Sequence, residues 1–222
     1  MTQIFSDGYE SGDFTEFTGT TTDGTSTLEV VEAAAHAGTY GQHSAGTGGT
    51  SHKAIAYKTF TIPESDVVYA QCYLRLNSSS GGYGAALTLR REDPLYKEIV
   101  LLYWNGGTWA LRCRNKDGSD DTVALDPDLS TETWYKIGLL YDWSGVNPVA
   151  RIYVDGVERA SHTDESSGTL YEPERVRIGT VEHSWSWSVD VYYDEVEVHD
   201  EDLEAGGISL PVVMHYARLR RG

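Results

Sequence analysis

Residues 134–158 read W-Y-K-I-G-L-L-Y-D-W-S-G-V-N-P-V-A-R-I-Y-V-D-G-V-E. Apolar and polar positions alternate through 134–141 and again through 149–154, the period of a strand that buries one face. A turn joins the two runs, and Asp155-Gly156 supplies the residue types of a tight hairpin turn after the second. Alternation carries Lys136, Arg151 and Tyr153 away from the core side. No acid/base pair lies among them, so the stretch specifies a scaffold and leaves any chemistry to the rest of the chain.

The same pattern recurs outward from it. Strands are predicted at 3–5, 27–31, 41–45, 54–60, 67–76, 85–91, 99–103, 108–114, 134–141, 149–154, 175–178 and 189–199, with no sustained helical periodicity. Asn105-Gly106-Gly107 and Lys116-Asp117-Gly118 mark turns, the runs 78–82 and 161–168 read as exposed loops, and the prolines fall in or beside connections. The expected fold is all-β: a two-sheet antiparallel jelly-roll sandwich over residues 1–203, followed by a C-terminal arm at 204–222. A chain of 222 residues can bury a substantial core in one such domain.

Seventeen Lys and Arg against 34 Asp and Glu give a net charge of −17, which argues against nonspecific nucleic-acid binding and for high solubility. No stretch approaches the length of a membrane span, so no membrane insertion is expected. Cys72 and Cys113 share the parity of neighbouring leucines; buried free thiols are the simplest reading and a cross-strand disulfide the minority one. The start, M-T-Q-I-F-S-D-G, has neither a basic leader nor an apolar segment after it, which leads to the expectation of synthesis in the cytoplasm or of a leader removed. Residues 206–222 carry three arginines and no acid, +3 in a chain of −17, leaving −20 on the preceding 205 residues. This basic, apolar strip reads as an assembly arm, with Met214, Tyr216, Arg218, Arg220 and Arg221 as its contacts, or equally as a last strand folded back on the domain.

Six segments occur together in order: F-S-D-G-Y-E-S-G-D-F-T-E-F at 5–17, A-H-A-G-T-Y-G-Q-H-S at 35–44, T-W-Y-K-I-G-L-L-Y-D at 133–142, A-R-I-Y-V-D-G-V at 150–157, V-R-I-G-T at 176–180 and V-Y-Y-D-E-V-E-V-H-D-E-D-L at 191–203. Over about Ile4 to Leu203 they resemble the concanavalin A-like lectin and glucanase superfamily, in its laminin G-like branch. The resemblance implies a jelly roll and leaves activity open, because that fold hosts lectins, glycosidases, lyases, adhesion modules and viral particle proteins. The glucanases' E-x-D-x-x-E differs in spacing from the Asp194-Glu195-Val196-Glu197-Val198-His199-Asp200 run, and the lyases' R-x-E-x-R and Q-x-H are absent. No catalytic residue is therefore assigned. The resemblance also implies a structural Ca2+ held by Asp7, Asp13 and Asp194 with carbonyls near Gly38; otherwise Asp7 and Asp13 are turn residues and Asp194 a hydrogen-bond acceptor.

Strand parity places a set of arginines and tyrosines outward: Tyr73, Arg75, Arg90, Arg112, Arg114, Arg151 and Tyr153, with Arg175 and Arg177. If their strands share a sheet they form a basic, aromatic face suited to an anionic glycan. The plainer reading, favoured for most of them, is cross-strand pairing with outward acids such as Glu195 and Glu197. Trp185 and Trp187 share a face and could form a sugar platform or an interface anchor. The expected function is a non-enzymatic virion surface component, capsid decoration or tail-associated, made in the host cytoplasm. Its partners would be other virion subunits or copies of itself, and surface glycans. The alternative is an extracellular carbohydrate-binding module, or a polysaccharide lyase or glycosidase of the same fold.

Overall fold

The computed structural model describes residues 2–46, 53–91, 98–182 and 188–204. Within them lie fifteen strands: β1 Gln3–Asp7, β2 Gly19–Asp23, β3 Thr27–Val31, β4 Gly41–Gly46, β5 Lys53–Thr59, β6 Val67–Ser80, β7 Tyr83–Arg90, β8 Glu98–Asn105, β9 Trp109–Arg114, β10 Asp120–Ala124, β11 Trp134–Asp142, β12 Val149–Val154, β13 Val157–Thr163, β14 Arg175–Glu182 and β15 Ser188–His199. Sheet I has the order β13-β12-β11-β6-β15-β4-β3, with β1 also paired to β15; sheet II has the order β10-β9-β8-β7-β14-β5-β2. Every pairing is antiparallel. The expected two-sheet sandwich is what forms.

Alternation decides which side chains meet between the sheets. Val68, Ala70, Cys72 and Leu74 of β6 and Leu139 and Ile152 of β11 and β12 join Leu87, Leu102, Leu111 and Ile178 of sheet II in one buried cluster. Each large aliphatic side chain so buried contributes about 1.5–3 kcal/mol. Cys72 and Cys113 lie on different sheets as buried free thiols, and burial pushes the Cys72 thiol up to about 12. The hairpin after β12 turns through Asp155 and Gly156, with φ of 52° and 76°, the positive pair that a two-residue hairpin turn requires.

Three parts of the sequence reading are corrected. Gly19–Asp23 and Asp120–Ala124 are strands, although neither alternates apolar with polar, because they are edges of sheet II and pair on one side only. The run 78–82 is not all loop, since Ser78, Ser79 and Ser80 pair with Asp190, Val189 and Ser188. The run 161–168 begins inside β13, where Ser161 and Thr163 pair with Arg151 and Val149. At the end of the described residues Glu204 accepts a hydrogen bond from Tyr69 Oη at 3.1 Å, and Leu203 packs against Tyr69, Leu140 and Tyr153. The arm residues Met214, Tyr216, Arg218, Arg220 and Arg221 lie outside the described residues.

Two carboxylates fix the loop between β3 and β4. The register of β15 against β6 shifts between Asp194 and Glu197, and Glu195 has a φ of 47°, so the strand bulges there. Asp194, wholly buried, accepts Glu195 N on Oδ1 at 2.7 Å and His36 N and Ala37 N on Oδ2 at 2.8 and 2.9 Å. Glu10 accepts Thr39 N at 2.9 Å and Tyr40 N at 3.1 Å. Between these pairs Gly38 takes a φ of 72°, and a Cβ there would lie 2.4 Å from Glu10 Oε1. Burial raises the Asp194 carboxyl above its usual range, outweighing the three N–H groups that favour its charge.

An Asp194→Asn substitution places an amide NH2 against at least one backbone N–H, so a loss of about 1–3 kcal/mol is expected. Urea unfolding measures it; an unchanged midpoint would mean that the clamp contributes nothing.

Candidate functional site

On the outer face of sheet I, β6 and β11 meet in the register Tyr73 to Lys136 and Gln71 to Gly138, and β15 places Glu197 opposite Gln71. The bulge at Glu195 lifts that carboxylate beside them. Gln71, Tyr73, Lys136, Glu195 and Glu197, with Cys72, line a shallow depression of about 230 Å³. The lack of a side chain at Gly138 makes room for the Tyr69 phenol: a Cβ at that position would lie 2.0 Å from Tyr69 Oη.

The floor is polar and partly committed. Gln71 Nε2 donates to Glu197 Oε2 at 2.5 Å, and His199 Nε2 lies 3.0 Å from the same oxygen. The His199 contact, then the Gln71 bond, hold the Glu197 carboxyl below its usual range against the opposing effect of burial. Gln71 Oε1 and His199 Nδ1 are buried with no hydrogen-bond partner among the described residues. Tyr73 is the aromatic residue of the lining, and behind it the His36 ring stacks on Tyr73, centroids 3.7 Å apart at 13°, and meets Trp134 edge-on at 5.2 Å. His36 Nδ1 also lies 3.3 Å from Glu195 Oε2. Burial, then Glu195, Asp155 and Glu197, push the Tyr73 hydroxyl up.

The predicted site residues divide among several places. Tyr73 is in the depression, and Arg75 lies one pair along β6 with its guanidinium 5.8 Å from the Tyr192 ring centroid. Arg151 and Tyr153 face outward on the same sheet but are occupied, Arg151 with Asp202 at 3.3 Å and Glu158 at 3.5 Å, Tyr153 with Asp202 at 3.2 Å. Arg90, Arg112 and Arg114, with Arg175 and Arg177, stand on sheet II. The single basic face is thus corrected, because the arginines are divided between sheets whose outer faces point apart. Most pair locally instead: Arg112 and Arg114 with Asp120 at 2.5 and 3.0 Å, Arg177 with Glu98 at 3.5 Å. Glu195 and Glu197, the acids expected as partners, face the depression. Trp185 and Trp187 lie outside the described residues.

The three aspartates do not converge as a calcium site. Asp7 accepts Tyr9 N at 2.7 Å, and Asp13 accepts Thr15 N at 3.0 Å and the Ser11 and Thr15 hydroxyls, all within turns. Near Gly38 the His36 and Ala37 N–H groups donate to Asp194. Among the described residues no group of three or more His, Cys, Asp or Glu side chains is arranged to hold a metal ion.

Sequence reasoning did not find the residues that back the lining, His36 on Tyr73, Trp134 beside His36, and His199 on Glu197. Parity could have placed Trp134 with Lys136 and His199 with Glu197, two residues apart on one strand. No sequence signal places His36, a loop residue brought over Tyr73 by a contact 158 positions away.

Comparison with known structures returns the same architecture at low identity. An endo-beta-1,4-glucuronan lyase from the fungus Trichoderma reesei has a TM-score of 0.70 at 14% identity, covering 89% of this chain and 95% of that one. The receptor-binding domain of botulinum neurotoxin type G has a TM-score of 0.58 at 11% identity, covering 91% of this chain and 49% of that one. A carbohydrate esterase from the Shiga toxin-encoding bacteriophage phi24B has a TM-score of 0.56 at 12% identity, covering 89% and 99%. Enzymes and binding domains therefore share this fold. No curated protein sequence matches the chain. A laminin G-type family model matches residues 36–209, and with the two-sheet architecture this shows that the chain belongs to the concanavalin A-like lectin/glucanases superfamily.

Proposed function

We propose that the protein is a non-enzymatic carbohydrate-binding protein whose glycan site is the depression on the outer face of sheet I. The observation that carries this reading is the meeting of Tyr73, stacked on the His36 ring that in turn meets Trp134, with the polar groups of Gln71, Lys136, Glu195 and Glu197. Sugars are held in this way, their apolar faces against rings and their hydroxyls on convergent polar atoms. Sheet II presents mainly guanidinium groups already matched by carboxylates, and such exposed pairs contribute only about 0.2–1 kcal/mol each to the fold.

The ionisation pattern supports binding over catalysis. A glycosidase needs one carboxyl kept protonated beside another kept charged. In the depression Glu197 is held below its usual range, and Asp194, whose carboxyl is raised, has its oxygens engaged by backbone N–H groups. A base for uronate lysis needs a lowered phenol or a free imidazole beside a cation. Tyr73 is shifted the opposite way.

A virion surface is the setting we propose, on the strength of charge. Residues 206–222 carry +3 while the rest of the chain carries −20, so the strip is suited to an acidic surface on another virion subunit or another copy of this chain.

On a glycan array and by calorimetry, Tyr73→Ala and Trp134→Ala should each weaken glycan binding about ten-fold, roughly 1.4 kcal/mol, while Arg112→Ala on the opposite sheet should leave it unchanged. Loss on Arg112→Ala alone would move the site to sheet II. Deleting residues 207–222 should leave the unfolding midpoint intact and reduce the mass measured by light scattering from an oligomer to a monomer. An identical mass with and without the strip would remove its assembly role.

A further inference from the structure

On the outer face of sheet I, strand register lays a straight row of side chains beside the depression. Trp134 of β11 pairs with Arg75 of β6, Arg75 with Tyr192 of β15, and Tyr192 with His43 of β4. Neighbouring strands lie about 4.8 Å apart, so the row runs about 14 Å across the face. Arg75 is half-buried between its two aromatic neighbours, its guanidinium 5.8 Å from the Tyr192 ring centroid. Its Nε is buried, whereas its Nη groups are not, and no acceptor bonds them among the described residues. The other sheet I arginines differ: Arg151 meets Asp202 and Glu158, and Arg159 donates to the Asp126 carbonyl. With 34 acids against 17 bases in the chain, a shortage of carboxylates does not explain that difference.

The carboxylates of this face are engaged elsewhere. Asp190 accepts from Asn77 Nδ2 at 2.8 Å and lies 3.2 Å from His43 Nε2, while His43 Nδ1 lies 2.9 Å from Glu29. Glu195 lies 3.3 Å from His36, and Glu197 is shared by Gln71 and His199. Glu29, three strands across, and Glu197, opposite Gln71, stand about 13 Å or more from Arg75 in register, beyond the ~8 Å screening length of physiological salt. Lys136, diagonal to Arg75 across β6 and β11, acts on Glu197 through space and forms no ion pair among the described residues. The four acids thus have donors, and the two cations are without acceptors.

We propose that Arg75, between Trp134 and Tyr192, is the subsite for the carboxylate of an acidic sugar, so that this face takes uronate-containing glycans in preference to neutral ones. This rests on the glycan-binding reading of the same face. A guanidinium meets a carboxylate through two parallel N–H bonds, each about twice as strong as a neutral hydrogen bond. The flanking rings give the pyranose an apolar surface beside that contact. They also hold the guanidinium in place before the ligand arrives, which lowers the cost of ordering it. The anionic ligand expected of a face with many arginines falls to this one.

The test is calorimetry on the full chain in about 0.15 M salt with three series. These are cello-oligosaccharides, β-1,4-linked oligoglucuronates, which carry carboxylates on the same backbone, and sulfated cello-oligosaccharides. Oligoglucuronates are expected to bind about ten-fold tighter than the neutral series, and Arg75→Gln to remove that difference while leaving the neutral affinity unchanged. Arg75→Lys, which keeps the charge but not the fork, should recover only part of the preference, with unfolding midpoints showing that both variants fold. Equal or tighter binding of the neutral series, or a preference that survives Arg75→Gln, overturns this inference and leaves the glycan-binding reading standing. Sulfated oligosaccharides that bind tighter than oligoglucuronates overturn the assignment to a carboxylate. Failure of every series overturns both readings.

Discussion

The Asp194 carboxylate, buried and shared by three backbone N–H groups, is the constraint on which the functional face depends. A β-bulge leaves amides without ladder partners, and a loop laid over a sheet brings more. One carboxylate at the bulge satisfies the Glu195 amide and two amides of the 36–40 loop. Glu10, from the chain's first loop, takes the next two amides. The loop is thereby pinned from both sides, which sets the His36 ring on Tyr73 and leaves the Glu195 side chain facing outward.

The second constraint is the closed geometry of a sandwich. Period-two alternation says that a residue leaves the core but not through which of two outer faces it leaves. Here that choice divides the arginines. On sheet II Arg112 and Arg114 pair with Asp120 and Arg177 with Glu98, while sheet I carries Arg75 and Arg151 along with Lys136, Glu195 and Glu197. An acidic protein with basic strands thus presents no single basic surface.

A fold shared with a glucuronan lyase, a toxin receptor-binding domain and an esterase does not separate enzyme from binder. The separation has to come from ionisation states. At the sheet I depression, burial and neighbouring carboxylates hold the phenol protonated, and imidazole and amide contacts hold Glu197 charged. On the proposed reading, groups so arranged hydrogen-bond a polyhydroxylated ligand rather than exchange protons with it.

By itself the sequence determined the all-β class, the hairpin around Asp155-Gly156 and the inward set of β6, β11 and β12, because alternation and turn chemistry are local and each residue carries its own signal. It also carried the outward parity of Tyr73 and Lys136. Only the tertiary structure decided which strands share a sheet, and hence that Arg112 and Tyr73 lie on opposite faces. It likewise decided that Asp194 accepts three backbone amides and that His36 joins Tyr73. Those outcomes depend on strand order and on a hydrogen bond spanning 158 positions, and no local period encodes either.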